Sequence, residues 1–160
     1  MNELETRFAY DIKNKSSDIF QTPNIAVDYL LPYIQKNHHV VWESACGNFM
    51  IKDYLIEKGY SVYGTDIIDG IDFFKYEPEF SYDVQITNPP YSLKDDWLER
   101  SYKLGKPFAL LLPVNSLHSV RRCKMFREYG LQLIIPPRRI NFITPTGDGT
   151  GAWFPVIWFC

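Results

Sequence analysis

Asn88, Pro89, Pro90 and Tyr91 are the residues whose types and order point most directly to chemistry. Asn88 carries a side-chain carbonyl oxygen, an acceptor for N–H groups. Pro89 restricts Asn88 to an extended backbone. The two prolines offer carbonyl acceptors and no N–H donors, on a stiff scaffold. Tyr91 supplies a flat face on which a base could stack. Two acceptors aimed at an NH2 group hold it and favour a nitrogen whose lone pair is freed from its ring. A nitrogen in that state can attack an electrophilic methyl group.

Such a turn needs a strand to hold it. Residues 82–87 form a short alternating run that predicts one, and the carboxyl end of a strand is where an open α/β sheet places its ligands. The surrounding pattern predicts further strands at 40–43, 61–66, 107–113, 131–135 and 154–159. Helices are predicted at 50–58, stopped by Gly59, and at 95–104, stopped by Gly105. Another runs to Tyr129, capped by Ser116 or Ser119 and ended by Gly130. Thr22 is read as the N-cap of a first helix, with Pro23 in its first turn. A short element is expected around 71–74, an irregular or partly helical arm over 1–19, and a hairpin turn over 144–151. Strands alternating with helices imply βαβ units and a parallel sheet. No helix separates the last two strands, so the final one is expected to be antiparallel.

Other strand ends carry candidate ligands. Residues 43–49 read Glu-Ser-Ala-Cys-Gly-Asn-Phe where the first strand turns into a helix. Small residues there let backbone N–H groups approach a ligand. Asp66 lies 19 residues after Gly47. An acid at about that distance past a glycine turn often accepts from ribose hydroxyls, although a surface acid at a strand end would look the same. Arg138 and Arg139 follow a predicted strand and could meet phosphates. Arg121, Arg122, Lys124 and Arg127 extend the basic stretch and fit a solvated helix face equally well. His38 and His39 are read as surface residues, and residues 113–116 as part of a pocket wall.

The chain has 160 residues, the size of one domain. Its net charge of −2 argues against a polycation that binds nucleic acid along its whole surface. Acidic residues gather between Asp66 and Asp83, basic ones between Arg121 and Arg139. Cys46, Cys123 and Cys160 are far apart, which indicates neither a zinc site nor a disulfide framework and suits a reducing, cytosolic setting. Residues 1–17 do not resemble a signal peptide, and no apolar run reaches membrane-spanning length.

Asn88-Pro89-Pro90-Tyr91 resembles motif IV of the S-adenosylmethionine-dependent adenine-N6 DNA methyltransferases. Residues 43–49 are similar to the family's motif I, an acid followed by a Gly-x-Gly turn, with Gly47 as the first glycine. Phe49 stands in the second glycine's place, and Ser44 where many relatives have proline. Asp66 fits motif II, Asp72-Phe73 resembles motif III, and Phe20-Gln21-Thr22-Pro23 resembles motif X. The motifs span nearly the whole chain in the order X, I, II, III, IV.

The resemblance implies an α/β class I methyltransferase (Rossmann-like) fold. Its mostly parallel seven-stranded sheet would have an antiparallel last strand and helices on both faces. It implies a single catalytic domain over 1–160 with no separate target-recognition domain, in a cytoplasmic, bacterial or phage-encoded enzyme. Phe20, Thr22, Pro23, Glu43, Ala45, Gly47, Asp66, Asp72, Phe73 and Asn88 would hold S-adenosylmethionine. Asn88 and the Pro89 carbonyl would grip the amino group, while Pro90 stiffens the turn. Tyr91 and Phe142 would sandwich the flipped base, and Arg138 and Arg139 would contact its backbone. DNA is the implied partner, with recognition of sequence left to loose specificity, a partner or a second copy, and no metal is required. Methyltransferases acting on RNA bases or on protein glutamine share the Asn-Pro-Pro-Tyr turn, and a non-catalytic binding protein on the same fold is the alternative from another class.

Overall fold

The computed structural model describes residues 21–143 and 154–160. Six strands build one sheet: β1 (Val40–Glu43), β2 (Ser61–Gly64), β3 (Val84–Thr87), β4 (Phe108–Pro113), β5 (Leu133–Ile134) and β6 (Val156–Phe159). Their spatial order is β2-β1-β3-β4-β6-β5. The four strands from β2 to β4 pair in parallel. β6 is antiparallel to both β4 and β5, as expected of a strand with no helix before it. The sheet is therefore mixed.

Among the described residues four helices flank it: α1 (Asn24–Leu30), α2 (Met50–Glu57), α3 (Lys94–Leu104) and α4 (Val120–Tyr129). Alternation along the strands assigns their faces. In β6, the Trp158 indole donates to the Ala26 carbonyl of α1 at 2.9 Å, while neighbouring Phe159 meets Phe126 of α4. In β1, Trp42 packs on Phe73, which stacks at 3.8 Å on Trp97 of α3. Adjacent Glu43 faces the start of α2. So α1 and α2 cover one face, and α3 and α4 the other. Both faces being covered explains why every residue of β3, β4 and β6 is buried.

The expected seventh strand is absent among the described residues. The doubly wound order would place another strand outside β2. The segment between β2 and β3 makes turns instead. Asp66 caps a 3-10 turn at Ile67–Asp69 by accepting from the Ile68 N–H. Asp72 accepts from the Phe74 N–H, and its carbonyl accepts from Tyr76 at 2.8 Å. These local bonds win over an extended conformation, as they often do at aspartate. The same competition ends β2 at Gly64 rather than at residue 66.

Three boundaries also move. Helix α1 starts one residue late, with Pro23 in the cap position and no side-chain cap; Thr22 is buried before it. Ser119, not Ser116, caps α4 by accepting from the Arg122 N–H at 3.1 Å. β5 shrinks to two residues, beyond which Pro136 and Pro137 cannot donate to a ladder. The arm at 1–19, Phe20 and the turn at 144–151 lie outside the described residues. No described helix is long and apolar enough to cross a membrane.

Asp83, just before β3, clamps the entry of β1. Its carboxylate accepts from the Val40 and His39 N–H groups at 2.8 and 2.9 Å. These bonds hold its pKa below the ordinary aspartate value. The clamp is complete above about pH 4 and its stabilisation is lost as pH falls through the lowered folded value. Asp83→Asn is expected to weaken the acid-induced fall of the urea midpoint between about pH 5 and pH 3. A fall as steep as in the unsubstituted chain would show that Asp83 is no clamp.

Candidate active site

The carboxyl ends of β1, β2, β3 and β4 share one rim of the sheet, and β5 points the same way because β6 reverses between it and β4. That rim carries Glu43, Asp66, Asn88, the turn at Val114–Leu117, Arg138 and Arg139. From β1 the chain crosses by α2 to β2 on one side. From β3 it crosses by α3 to β4 on the other. The crevice of an open sheet forms at such a reversal, here between β1 and β3.

On the β1 and β2 side the loop at 44–49 is built from backbone bonds. Cys46 N–H donates to the Thr65 carbonyl at 3.2 Å, and Phe49 N–H to the Cys46 carbonyl at 2.7 Å. Gly47, at φ +47°, donates its N–H to Asp66 Oδ2 at 2.7 Å. The two expected cofactor residues Gly47 and Asp66 are thus brought into direct contact. Asp66 spends one lone pair of each oxygen on the loops it joins, Oδ2 on Gly47 and Oδ1 on Ile68, and a carboxylate has others to give.

Glu43 is 1% exposed, and its Oε2 has no hydrogen-bond partner among the described residues. Burial pushes its carboxyl well above the ordinary range, against the lowering effect of the Lys52 N–H at the start of α2; the Asp66 charge adds to the rise. Burial, then Glu43, Asp66 and Asp69, push the Cys46 thiol up to about 12, which leaves it protonated and a poor nucleophile. Ala45 is half-buried in the same loop, its carbonyl accepting from Thr87 Oγ1 at 3.4 Å.

Phe49 adopts φ +64° and ψ +12°, the left-handed conformation that a glycine would accept without strain. It is 41% exposed and carries the Lys52 ammonium 5.0 Å from its ring centre. Phe49 therefore loads the backbone, with its ring partly in solvent.

Phe73 is a core side chain, one face taken by Trp97. Asp72 is half-buried, bonded to the Phe74 N–H and paired with Lys75 at 3.4 Å. Gln21 and Ile143 exchange two backbone bonds at 3.2 and 3.1 Å. That bridge sets Thr22 and Pro23 beside the segment carrying buried Phe142. Phe20 lies outside the described residues.

On the β3 side Asn88 is half-buried, Pro89 buried, and Pro90 leads at ψ 122° into a 3-10 turn begun by Tyr91. Tyr91 is 9% exposed, and its ring meets Phe154 edge-on at 5.7 Å. Phe154 was not an expected site residue, nor was Lys94, whose ammonium donates to the Tyr91 carbonyl at 3.2 Å. Arg138 and Arg139 are exposed. Arg121 instead pairs with Asp96 and Glu99, and Arg122 with Asp95, so this part of the basic stretch fastens α4 to α3.

Sequence reasoning also missed Gln85 and Thr87. Gln85 Nε2 donates to Ser44 Oγ at 2.7 Å, with both residues buried. A signal existed: a central parallel strand normally reads as a continuous apolar run, and two polar residues in β3 break it. Compared with known proteins, the chain matches no family model and no curated protein sequence.

Two substitutions probe this geometry. Phe49→Gly is expected to raise stability by roughly 0.5–1 kcal/mol, the left-handed penalty less a weak exposed cation–π contact, as read from urea midpoints. Glu43 keeps its proton in the folded state above the pH at which the unfolded chain loses it. Its contribution therefore declines as pH rises from about 4 toward the folded value. Glu43→Gln should gain stability relative to the unsubstituted chain as pH rises above about 4. A constant difference would mean that Glu43 is ionised in the fold.

Proposed function

We propose that this chain is an S-adenosylmethionine-dependent methyltransferase that modifies the exocyclic N6 amino group of a flipped adenine in DNA, on a class I methyltransferase frame. The observation that carries the proposal is the position of the Asn88–Pro89–Pro90–Tyr91 turn. It leaves β3 on one side of the crevice, and the loop at 44–49, tied to Asp66, lines the other.

The donor set suits this methyl donor. Glu43 and Asp66 offer carboxylate oxygens to ribose hydroxyls and to a cationic ligand, and Glu43 Oε2 has no partner among the described residues. Gly47, Ala45, Thr22 and Pro23 would shape the same side, with Asp72 and Phe73 at its edge. When bound, S-adenosylmethionine supplies an electrophilic methyl on a sulfonium. Asn88 Oδ1 and the Pro89 carbonyl would accept the two amino protons of the base and hold the nitrogen in line for transfer. The proton released from that nitrogen goes to solvent, so no side chain need act as a strong base. Tyr91 would stack on the ring, with Phe142 behind the same wall. Lys94, Arg138 and Arg139 give this half of the rim a positive charge suited to a phosphate backbone, which favours a nucleic acid over a glutamine side chain.

The test is transfer of radiolabelled methyl from S-adenosylmethionine to unmethylated DNA, with digestion to nucleosides. Label is expected as N6-methyladenine. Asn88→Ala should lower turnover by about 100-fold or more while cofactor affinity stays within a few-fold. Near-normal turnover in that variant, or label found only in RNA or in a glutamine peptide, would overturn the assignment to DNA adenine. Absence of cofactor binding by calorimetry would favour a binding protein on this frame.

A further inference from the structure

Beyond Trp42 and Gln85 the backbone ladder between β1 and β3 stops: Val41 pairs with Val84 and Trp42 with Gln85, and no later pair forms. β1 pairs with β2 over four residues and β3 with β4 over three. The two strands part because their chains leave for opposite faces, β1 into α2 and β3 into α3. Two side-chain bonds span the gap where the ladder has ended. Gln85 Nε2 donates to Ser44 Oγ at 2.7 Å, and Thr87 Oγ1 donates to the Ala45 carbonyl at 3.4 Å. Gln85, Ser44 and Thr87 are exposed by 1%, 2% and 0%. A buried amide left without a partner is costly, so the short Gln85–Ser44 bond fixes a separation between the strands rather than following it.

Resting on the methyltransferase assignment, we infer that Ser44 and Gln85, with Thr87 in support, are positioning residues that set the distance between the methyl-donor loop and the amino-gripping turn. Ser44 immediately precedes Ala45 in the loop. Asn88 follows Gln85 by three residues and Thr87 by one. Neither Ser44 nor Gln85 need touch a ligand. Their bond spans the crevice from one reactant's wall to the other's, and methyl transfer is sensitive to such spacing: an error of about 1 Å can lower a rate by about 100-fold.

The experiment is steady-state methyl transfer to unmethylated DNA by the full chain and by Ser44→Ala, Gln85→Met and Ser44→Thr, each checked for folding by circular dichroism. The expected result is a fall in kcat of about 10- to 100-fold in Ser44→Ala and Gln85→Met, with the KM for S-adenosylmethionine within about threefold. Ser44→Thr, which keeps the hydroxyl, should recover most of the rate. Gln85→Met preserves side-chain volume and stands in if Ser44→Ala does not fold. Unchanged kcat in a folded variant overturns the inference. So does a rise in KM at constant kcat, which would confine Ser44 to donor binding. If the unsubstituted chain transfers no label to DNA, RNA or peptide, the failure belongs to the assignment. The spacing role is then read from amide chemical shifts. Ser44→Ala should move those of Asn88 and Tyr91, and unmoved shifts overturn it.

Discussion

The parting of β1 and β3 is the constraint on which the rest of the rim depends. A parallel pair must satisfy its backbone groups with each other or give them up to something else. Once α2 and α3 leave on opposite faces, the two strands cannot stay paired to their ends. The groups released where they separate become available to loops and ligands, while the strand cores stay buried under helices. Side chains close the gap at the base of the crevice, Gln85 to Ser44 and Thr87 to Ala45. Apolar residues at Gln85 and Thr87 would suit the core and would leave the loop at 44–49 unanchored.

Charge divides the same rim. Glu43, Asp66, Asp69 and Asp72 follow β1 and β2, whereas Lys94, Arg138 and Arg139 follow β3 and β5. The acidic half is costly to build, because Glu43 is buried with only part of its carboxyl bonded. A cation arriving there would favour the ionised form and drive off the proton. Binding of such a cation and ionisation of Glu43 would therefore be linked, each strengthening the other. The basic half is smaller than composition suggests. Arg121 and Arg122 are held by Asp95, Asp96 and Glu99 across the α3–α4 contact, a use that charge counting along a sequence cannot separate from a phosphate-binding face.

Most of the fold was legible because its signals are strong and local. The apolar run at 107–113 reads as a buried strand, and Gly105 and Gly130 mark the ends of α3 and α4. The Asn-Pro-Pro-Tyr turn could be assigned to a strand end from its neighbours alone. What failed depended on competition between local bonds. At 65–76 the side chains of Asp66 and Asp72 captured nearby N–H groups and replaced an extended edge by turns. The bond between Gly47 and Asp66 was not legible either. Spacing suggested that both belong to one site, but only the fold shows an acid holding the glycine loop in place. Phe49 was not legible either, because its significance lies in a positive φ that no side-chain property announces.

The two halves of the crevice are prepared to different degrees. The loop at 44–49 and Asp66 are already bonded into place, so a donor would enter a largely preformed wall and lose little to ordering it. Tyr91 is different. Its ring is packed against Phe154 and almost wholly covered, so a base can stack on it only after one of them moves. For the proposed reaction that asymmetry has a consequence. A flipped base brings its own stacking energy, and a ring that exchanges one aromatic contact for another gives up little when the base arrives. In the absence of substrate, the Tyr91–Phe154 contact keeps the surface of the turn out of water. The turn at 88–91 would thus be rigid at its prolines and exchangeable at its tyrosine. Such a division suits a site that must hold one nitrogen closely and admit a large flat ring only when that ring has left its own stack.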